Sequence, residues 1–338
     1  MKKPSIKDVA QHAGVSTATV SNVFSGRKPV NDDLKDRVRA AAEQLGYQAN
    51  RAASQLRSQR NHVVAVLVPN LTDTFFAKII SNLENLAFSQ GYDVIVASSH
   101  DRLDVEESRI KALLRWQPAG MIAIPCSGEL PASIAALKET SPVVMVDRVS
   151  VEGCPFDTVT IDNYQSGVDA GQFLADQGHQ KVLIAASNLD HPPIQNRAQG
   201  CFDTVQKLGG HCEILALGSD LDEGAKVVGD WLDNNEPPTA IFGLTNVTTL
   251  SVLTAMADRG IRVCDHISVV AHDDYAWMSA RSASLTVMQQ PVDDIAKTAW
   301  QRLIDRIESD GVNHAPQSSV LEAHLVKRKS VKNLKGGM

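Results

Sequence analysis

Cysteine is scarce and scattered in this chain. The five residues Cys126, Cys154, Cys201, Cys212 and Cys264 form no CxxC pair and show no metal-ligand spacing. Reduced thiols in a cytoplasmic protein are therefore expected, rather than a disulfide framework or a zinc site. Long hydrophobic runs are also missing, since no stretch approaches the ~20 apolar residues of a membrane span. The N-terminal lysines run into Asp8, Gln11 and His12, where a secretory leader needs an unbroken apolar core. The glycines make no GxGxxG and no phosphate-binding loop, and neither GxSxG nor HExxH occurs. Cys126 in "IPCSGE" has no His–Asp pair at a telling spacing, and His272–Asp273 lack a third metal ligand. The expectation is a protein that is not an enzyme and carries neither metal nor cofactor.

What is present is an ordinary globular composition, 43% hydrophobic and 21% charged over 338 residues, long enough for two or more domains. The net charge of −6 conceals an asymmetry. Residues 1–60 hold eleven Lys/Arg against five Asp/Glu, a local +6, so the remainder carries −12. A basic head on an acidic body is the distribution expected when only the head meets phosphate.

The head opens with "IKDVAQHAGVSTATVSNVFSG". Ser5 followed by Asp8 is a capping-box pattern, and Ile6, Val9, Ala10 and Ala13 share one helical face. Gly14 suits the left-handed closing residue. Ser16 can cap a second helix from Thr17 to Ser25, with Val20, Val23 and Phe24 inward. Asn31 caps a third, with Asp32 and Asp33 in its first turn, inward Leu34, Val38, Ala41, Ala42 and Leu45, and a stop at Gly46. Two helices on a three-residue turn, backed by a third, make helix-turn-helix geometry. In that geometry Thr17, Ala18, Ser21 and Asn22 face the major groove. Small residues at 17 and 18 let bases approach, and Asn22 can bond an adenine edge. Ser5, Ser16, Thr19 and Ser21 are candidate phosphate contacts.

The next stretch, "NRAASQLRSQRN" from Asn50 to Asn61, has helix-forming composition but is too short to be stable alone. It reads either as an interdomain linker or as a segment that folds against DNA with its twin, Leu56 wedging into the minor groove. The motifs "IKDVAQHAGVSTATVSNV", "VRAAAEQLGYQAN" and "NRAASQLRS" resemble the LacI/GalR family of bacterial transcription regulators, and the resemblance extends over nearly the whole chain. It implies that Leu56 is the intercalating hinge leucine, Ala53 part of the hinge pair and Asn50 a further DNA contact. Position 22, commonly Arg or His in that family, is Asn22, so an operator sequence does not carry over.

From His62 onward apolar runs alternate with amphipathic stretches. "HVVAVLVP", "YDVIVASS", "AGMIAIPC" and "SPVVMVDR" are followed by a second series, "DTVTIDN", "KVLIAAS", "CEILALG", "TAIFGLTN" and "ISVVAHDD". This predicts α/β lobes with parallel sheets flanked by helices; the resemblance implies the two-lobed periplasmic-binding-protein-like body. The expected division is a helix-turn-helix domain at 1–48, a hinge at 49–61 and an effector-binding and dimerisation domain at 62–338. Its first lobe takes about 62–160 and 291–318, its second about 161–290 and 319–330.

Ligands of such sheets sit beyond the carboxyl ends of the strands. There the first lobe offers Asn70, Asp73, Phe75, Phe76, Asp147 and Arg148, and the second Arg197, Thr245, Asn246, Asp273 and Gln289. Rings over CH faces, carboxylates accepting from paired hydroxyls and donating arginines suit a small polyol. The resemblance extends to sugar sensors, where matching Phe, Asp-Arg, Arg, Asp and Gln positions contact the sugar; two arginines also admit a sugar acid or sugar phosphate. The expectation is a cytoplasmic homodimeric regulator, a repressor of carbohydrate genes, that binds a pseudo-palindromic double-stranded operator under control of that effector, with no membrane partner. Three alternatives share parts of the pattern: control by a phosphoprotein partner, control by a non-sugar metabolite, and a sugar-binding transport protein.

Overall fold

The structure, a computed structural model, describes residues 4–25, 30–47, 62–280, 282–309 and 315–335. The expected hinge segment, with Asn50, Ala53 and Leu56, lies outside them. The chain divides into two compact units between residues 61 and 62.

The head unit holds α1 (Ile6–Ala13), α2 (Thr17–Ser25) and α3 (Asp32–Gln44). Each start is set by a polar cap. The Ser5 amide and hydroxyl both donate to Asp8 Oδ2 at 2.7 Å, the Thr19 amide donates to Ser16 Oγ at 3.1 Å, and the Asp33 amide to Asn31 Oδ1 at 3.0 Å. Gly14, at φ +64, closes α1, and Arg37 donates to the freed Ala13 carbonyl at 2.6 Å, so α3 also caps α1. Val9, Ala10, Ala13, Val20, Val38, Ala41 and Ala42 form the small core. Phe24, expected inward, is 41% exposed; its ring lies against Tyr47 at 6.0 Å between centroids rather than in that core.

The body unit begins with β1 (Val63–Val68), α4 (Thr74–Ser89), β2 (Asp93–Ser98), α5 (Leu103–Leu114), β3 (Gly120–Ala123), α6 (Ala132–Ala135), β4 (Val143–Val146) and β5 (Asp157–Ile161). The chain then crosses into α7 (Asn163–Asp176), β6 (Lys181–Ala186), α8 (Pro192–Lys207), β7 (His211–Ala216), α9 (Leu221–Asn234), β8 (Ala240–Gly243), α10 (Asn246–Asp258), β9 (Ser268–His272), α11 (Ala276–Ser279) and β10 (Thr286–Gln289). It returns through α12 (Val292–Glu308) to β11 (Ser318–Leu321) and ends with β12 (His324–Val326). The first sheet runs β11-β5-β4-β3-β1-β2 and the second β12-β10-β9-β8-β6-β7. All pairings are parallel except β12 against β10. Strands such as Val143–Val146 and Ala240–Gly243 are buried along their whole length, as expected when helices cover both faces of a parallel sheet. One boundary differs from expectation. Residues Ser319–Leu321 pair with Val159–Ile161 in the first sheet, so the last crossing follows Leu321 rather than residue 318.

Two contacts set the lobe architecture. A Cβ on Gly167 would lie 2.1 Å from the Arg197 carbonyl, and one on Gly200 2.1 Å from the Tyr164 carbonyl. The absence of side chains at both positions lets α7 and α8 touch backbone to backbone. In the first lobe, Arg306 on α12 grips Asp157 on β5 through Nε at 2.9 Å and Nη2 at 2.6 Å, and the Gln317 amide donates to the same carboxylate at 2.8 Å. Asp157 is 3% exposed, so losing its cation would strand a buried charge. Arg306→Leu should lower the stability of the body by about 3 kcal/mol in urea unfolding; a change below about 0.5 kcal/mol would show that the pair does not hold α12 on the sheet.

Candidate functional site

The carboxyl ends of both parallel sheets face a cleft lined by Asp73, Phe75, Phe76, Asp147 and Arg148 from the first lobe. His191, Pro193, Ile194, Arg197, Thr245, Asn246, Asp273 and Gln290 line it from the second. About 420 Å³ there is not filled by protein atoms, including the part open to solvent.

Local structure positions each side chain. Asp73 caps α4, accepting from the Phe75 amide at 2.9 Å, which brings Phe75 and Phe76 into the first turn at the cleft wall. Their rings meet edge to face at 5.2 Å, and one face of Phe76 lies under the Arg148 guanidinium at 5.4 Å. Thr245 caps α10 in a reciprocal box with Thr248 and so presents Asn246 on the first turn. Asp147 and Asp273 immediately follow β4 and β9, equivalent strands of the two sheets, and both adopt left-handed backbone, φ +61 and +69. Their amides are held by the neighbouring strands, Asp147 to the Val159 carbonyl at 2.9 Å and Asp273 to that of Met288 at 2.8 Å. Such strain in non-glycine residues persists where the surroundings enforce it, and it turns both carboxylates into the cleft.

Two expected positions differ. Gln289 is exposed and reaches toward Asp274 at 3.4 Å, outside the cleft. Gln290 takes its place, donating to Asp273 Oδ1 at 2.7 Å. Side chains alternate along β10, so a reading one residue out of register selects the wrong face. Asn70 is spent on a turn, accepting from the Thr72 amide at 2.8 Å and hydroxyl at 2.7 Å. His191, Pro193 and Ile194 went unpredicted, although they start the same helix that carries Arg197.

Arg197 is 4% exposed, its Nε donating to Asn163 Oδ1 at 2.7 Å and Nη1 to the Leu244 carbonyl at 3.2 Å. Burial lowers its pKa, opposed by Asp273 and Asp147, and an arginine guanidinium remains charged in proteins. Burial also pushes the Asp147 and Asp73 carboxyls above their ordinary value, opposed by the two arginines and by the Phe75 amide respectively. For Asp273 burial acts upward too, but the His272 ring, Arg197 and the Gln290 amide outweigh it and hold the carboxyl below its ordinary value. Arg148 is engaged with Asp101 and with the Cys126 carbonyl. The cleft therefore presents three carboxyl groups against two cations that already have protein partners. Asn246 Oδ1, Gln290 Oε1 and His191 Nδ1 are buried among the described residues without a hydrogen-bond partner. The two amide oxygens are acceptor positions that invite a ligand rich in donors, whereas the role of the His191 ring nitrogen is set by its tautomer, with Nε2 3.4 Å from Asn188 Nδ2.

Reactive chemistry has no comparable footing. Burial and the neighbouring Glu106 carboxylate push the Cys126 thiol up to about 12, and its sulfur contacts Ser99 Oγ at 2.8 Å. No cluster of potential metal ligands occurs among the described residues, and no helix there is long and apolar enough to cross a membrane.

On the head, Thr17 and Ala18 are exposed and Thr19, Ser21 and Asn22 half-buried along α2. The Ser5 and Ser16 hydroxyls sit at the N-terminal ends of α1 and α2, where backbone N–H groups and the helix dipole favour phosphate.

Comparison with known proteins agrees with both units. The profile of bacterial regulatory proteins of the lacI family matches residues 5–50, and that of a periplasmic binding protein-like domain matches residues 172–331. The HTH-type transcriptional repressor PurR of Yersinia pestis bv. Antiqua (strain Antiqua) is 29% identical over 332 residues, covering 96% of each chain. The lac repressor dimer bound to operator and the anti-inducer ONPF superposes with a TM-score of 0.86 at 24% identity, covering 98% of this chain and 100% of that one. The regulator CelR in complex with cellobiose gives 0.71 at 25% identity, covering 97% and 99%.

His272 beneath the cleft is wholly buried, its Nε2 3.1 Å from Ser166 Oγ, and burial next to Arg197 lowers its pKa to about 4. Below its ordinary value of 6.5 the unfolded chain takes up a proton that the native ring refuses until about 4, so stability falls as pH drops through that window. Compared with His272→Gln, the wild-type chain should lose roughly 2–3 kcal/mol more between about pH 7 and pH 4.5 in urea unfolding. Equal slopes would mean that the ring is protonated in the native state.

Proposed function

The chain belongs to the LacI/GalR family and is a DNA-binding transcriptional repressor, and on that premise we propose that its cleft binds a compact, neutral, hydroxyl-rich effector of the sugar type. The observation that carries this reading is the charge balance in the cleft. Asp73, Asp147 and Asp273 converge there while Arg148 and Arg197 are already engaged with protein groups. A sugar acid or sugar phosphate would add negative charge where carboxyl groups are in excess, whereas neutral hydroxyls donate to those carboxylates and to Asn246 Oδ1 and Gln290 Oε1. Phe75, Phe76, Pro193 and Ile194 cover the CH faces.

A second reading has its own support. The repressor PurR resembles this chain over 96% of its length, and an N–H-rich heterocycle would donate to the same acceptors. Calorimetric titration of the full chain separates them. Neutral monosaccharides should bind, with sugar phosphates, sugar acids and purine bases at least about tenfold weaker; a purine binding more tightly than every sugar reverses the assignment. Asp273→Asn should abolish the effector response with operator binding retained, and an unchanged dose-response would remove Asp273 from the site.

For DNA, the proposal pairs two heads on a pseudo-palindromic operator, with Thr17, Ala18, Ser21 and Asn22 of α2 in the major groove. Ser5, Ser16 and Thr19 contact phosphates, and Leu56 wedges into the minor groove, with Ala53 part of the hinge pair and Asn50 a further DNA contact. A homodimer follows from half-site logic, because a single small head binds too weakly to specify a site. Effector binding closes the lobes of each protomer, shifts the paired first lobes and biases the segments leading to the heads. A coupling of about 1–3 kcal/mol changes operator affinity about 5–150-fold. Leu56→Ala should weaken specific operator binding in a gel shift and leave effector affinity unchanged; equal operator affinity would discredit the wedge. Affinity should also fall steeply with salt, each phosphate contact adding a slope near about −0.9, and a flat dependence would contradict the role of the basic head.

A further inference from the structure

Tyr275 follows the Asp273–Asp274 pair and caps α11 in the second lobe. Its hydroxyl lies 3.2 Å from Asp73 Oδ1, which belongs to the first lobe, and 3.4 Å from Asp273 Oδ2. The phenol is 6% exposed. Its loop is held in place from below, because Arg328 grips Asp274 through both guanidinium nitrogens at 2.9 and 2.6 Å. The hydroxyl is thus fixed on one lobe and spans to the other.

The electrostatics give that bridge a purpose. Asp73 and Asp273 face each other across the cleft, Asp273 disfavours ionisation of Asp73, and the Tyr275 hydroxyl is a proton donor within reach of both. Without it two carboxyl groups of opposite lobes would confront each other in a partly dry space, where repulsion is strong. The lobes touch elsewhere as well. A Cβ on Gly128 of the first lobe would fall 2.5 Å from Pro192 Cγ of the second, so the proline ring packs directly on the Gly128 backbone there.

We propose that Tyr275 is a positioning residue whose hydroxyl, seated beside Asp273 of its own lobe, donates to Asp73 of the other and so ties the two lobes together. The cleft is thereby held near its binding-competent shape, and the effector pays less of the closure entropy itself. The position of Tyr275 was not singled out by any motif. It is an aromatic directly after a strand-end acidic pair, and its reach across the cleft emerges only in three dimensions. The tether stands on interlobe geometry and does not depend on which effector class is correct.

The test uses the full chain carrying Tyr275→Phe, which keeps the ring and removes only the hydroxyl. Spin labels at Ser108→Cys on α5 and Asp230→Cys on α9, both exposed, report the interlobe distance in a background with Cys154→Ser and Cys264→Ser. In the absence of any ligand the mean distance should lengthen by more than about 2 Å, or the distribution should gain a distinct longer population. An unchanged distribution overturns the tether. Thermal unfolding of both proteins distinguishes opening from loss of fold, since opening alone leaves the transition cooperative. A Gly128→Val chain serves as a second variant, opening the lobes by collision with Pro192 rather than by loss of the Tyr275 hydroxyl. If it lengthens the distance and Tyr275→Phe does not, the proposal fails although the probe works. In calorimetry Tyr275→Phe should weaken the effector about tenfold. Failure of every sugar to bind either protein would instead refute the assigned effector class, while the label distance still decides the tether.

Discussion

The Arg197 guanidinium, buried between α7 and the end of β8, is the charge around which the cleft is organised. It reaches that place because Gly167 and Gly200 let α7 and α8 approach backbone to backbone, and Asn163 and the Leu244 carbonyl fix its plane. A buried cation is costly unless compensated, and the compensation comes from Asp273 of its own lobe and Asp147 of the other. Those two carboxylates stand at equivalent strand ends of two similarly ordered sheets, each held in a left-handed conformation by the adjacent strand. The charge pattern therefore joins the lobes electrostatically across the space where a ligand would lie.

The connectivity makes that junction adjustable. The chain crosses between lobes after Ile161, after Gln289 and after Leu321, and each sheet is completed by strands laid down after a crossing. Three short connections between two continuous sheets are the connectivity on which the proposed rotation of one lobe against the other would turn. Burial pushes the Asp73 and Asp147 carboxyls above their ordinary value while Asp273 is held below its own, so the cleft presents three unequal acceptors to the donors of a ligand. Binding and closure then draw on the same interactions.

Much of this was legible in the sequence because it depends on short-range rules. The caps at Ser5, Ser16 and Asn31 and the closing Gly14 declare the head helices, and runs such as "PVVMVDR" and "SVVAHDD" declare a strand followed by polar residues at its carboxyl end. That suffices to bring Asp147, Arg148 and Asp273 to the cleft. What was not legible depends on register or on contacts distant in the chain. Gln289 and Gln290 are chemically identical, and only the phase of β10 decides which of them faces the cleft. Tyr275 owes its role to Asp73, 202 residues away, a neighbour that no local pattern announces. Phe24 fits an inward helical position by spacing but finds its partner in Tyr47 at the head's surface.

The central claim is that occupancy of the cleft and grip on duplex DNA are one linked equilibrium. The direct measurement is calorimetric titration of the effector into the chain alone and into the chain saturated with a palindromic duplex, paired with operator titrations at zero and saturating effector. The account predicts that effector affinity changes about 5–150-fold on DNA and that operator affinity changes by the same factor on effector. Identical effector affinity in the two states, with operator affinity equally unmoved, would contradict it.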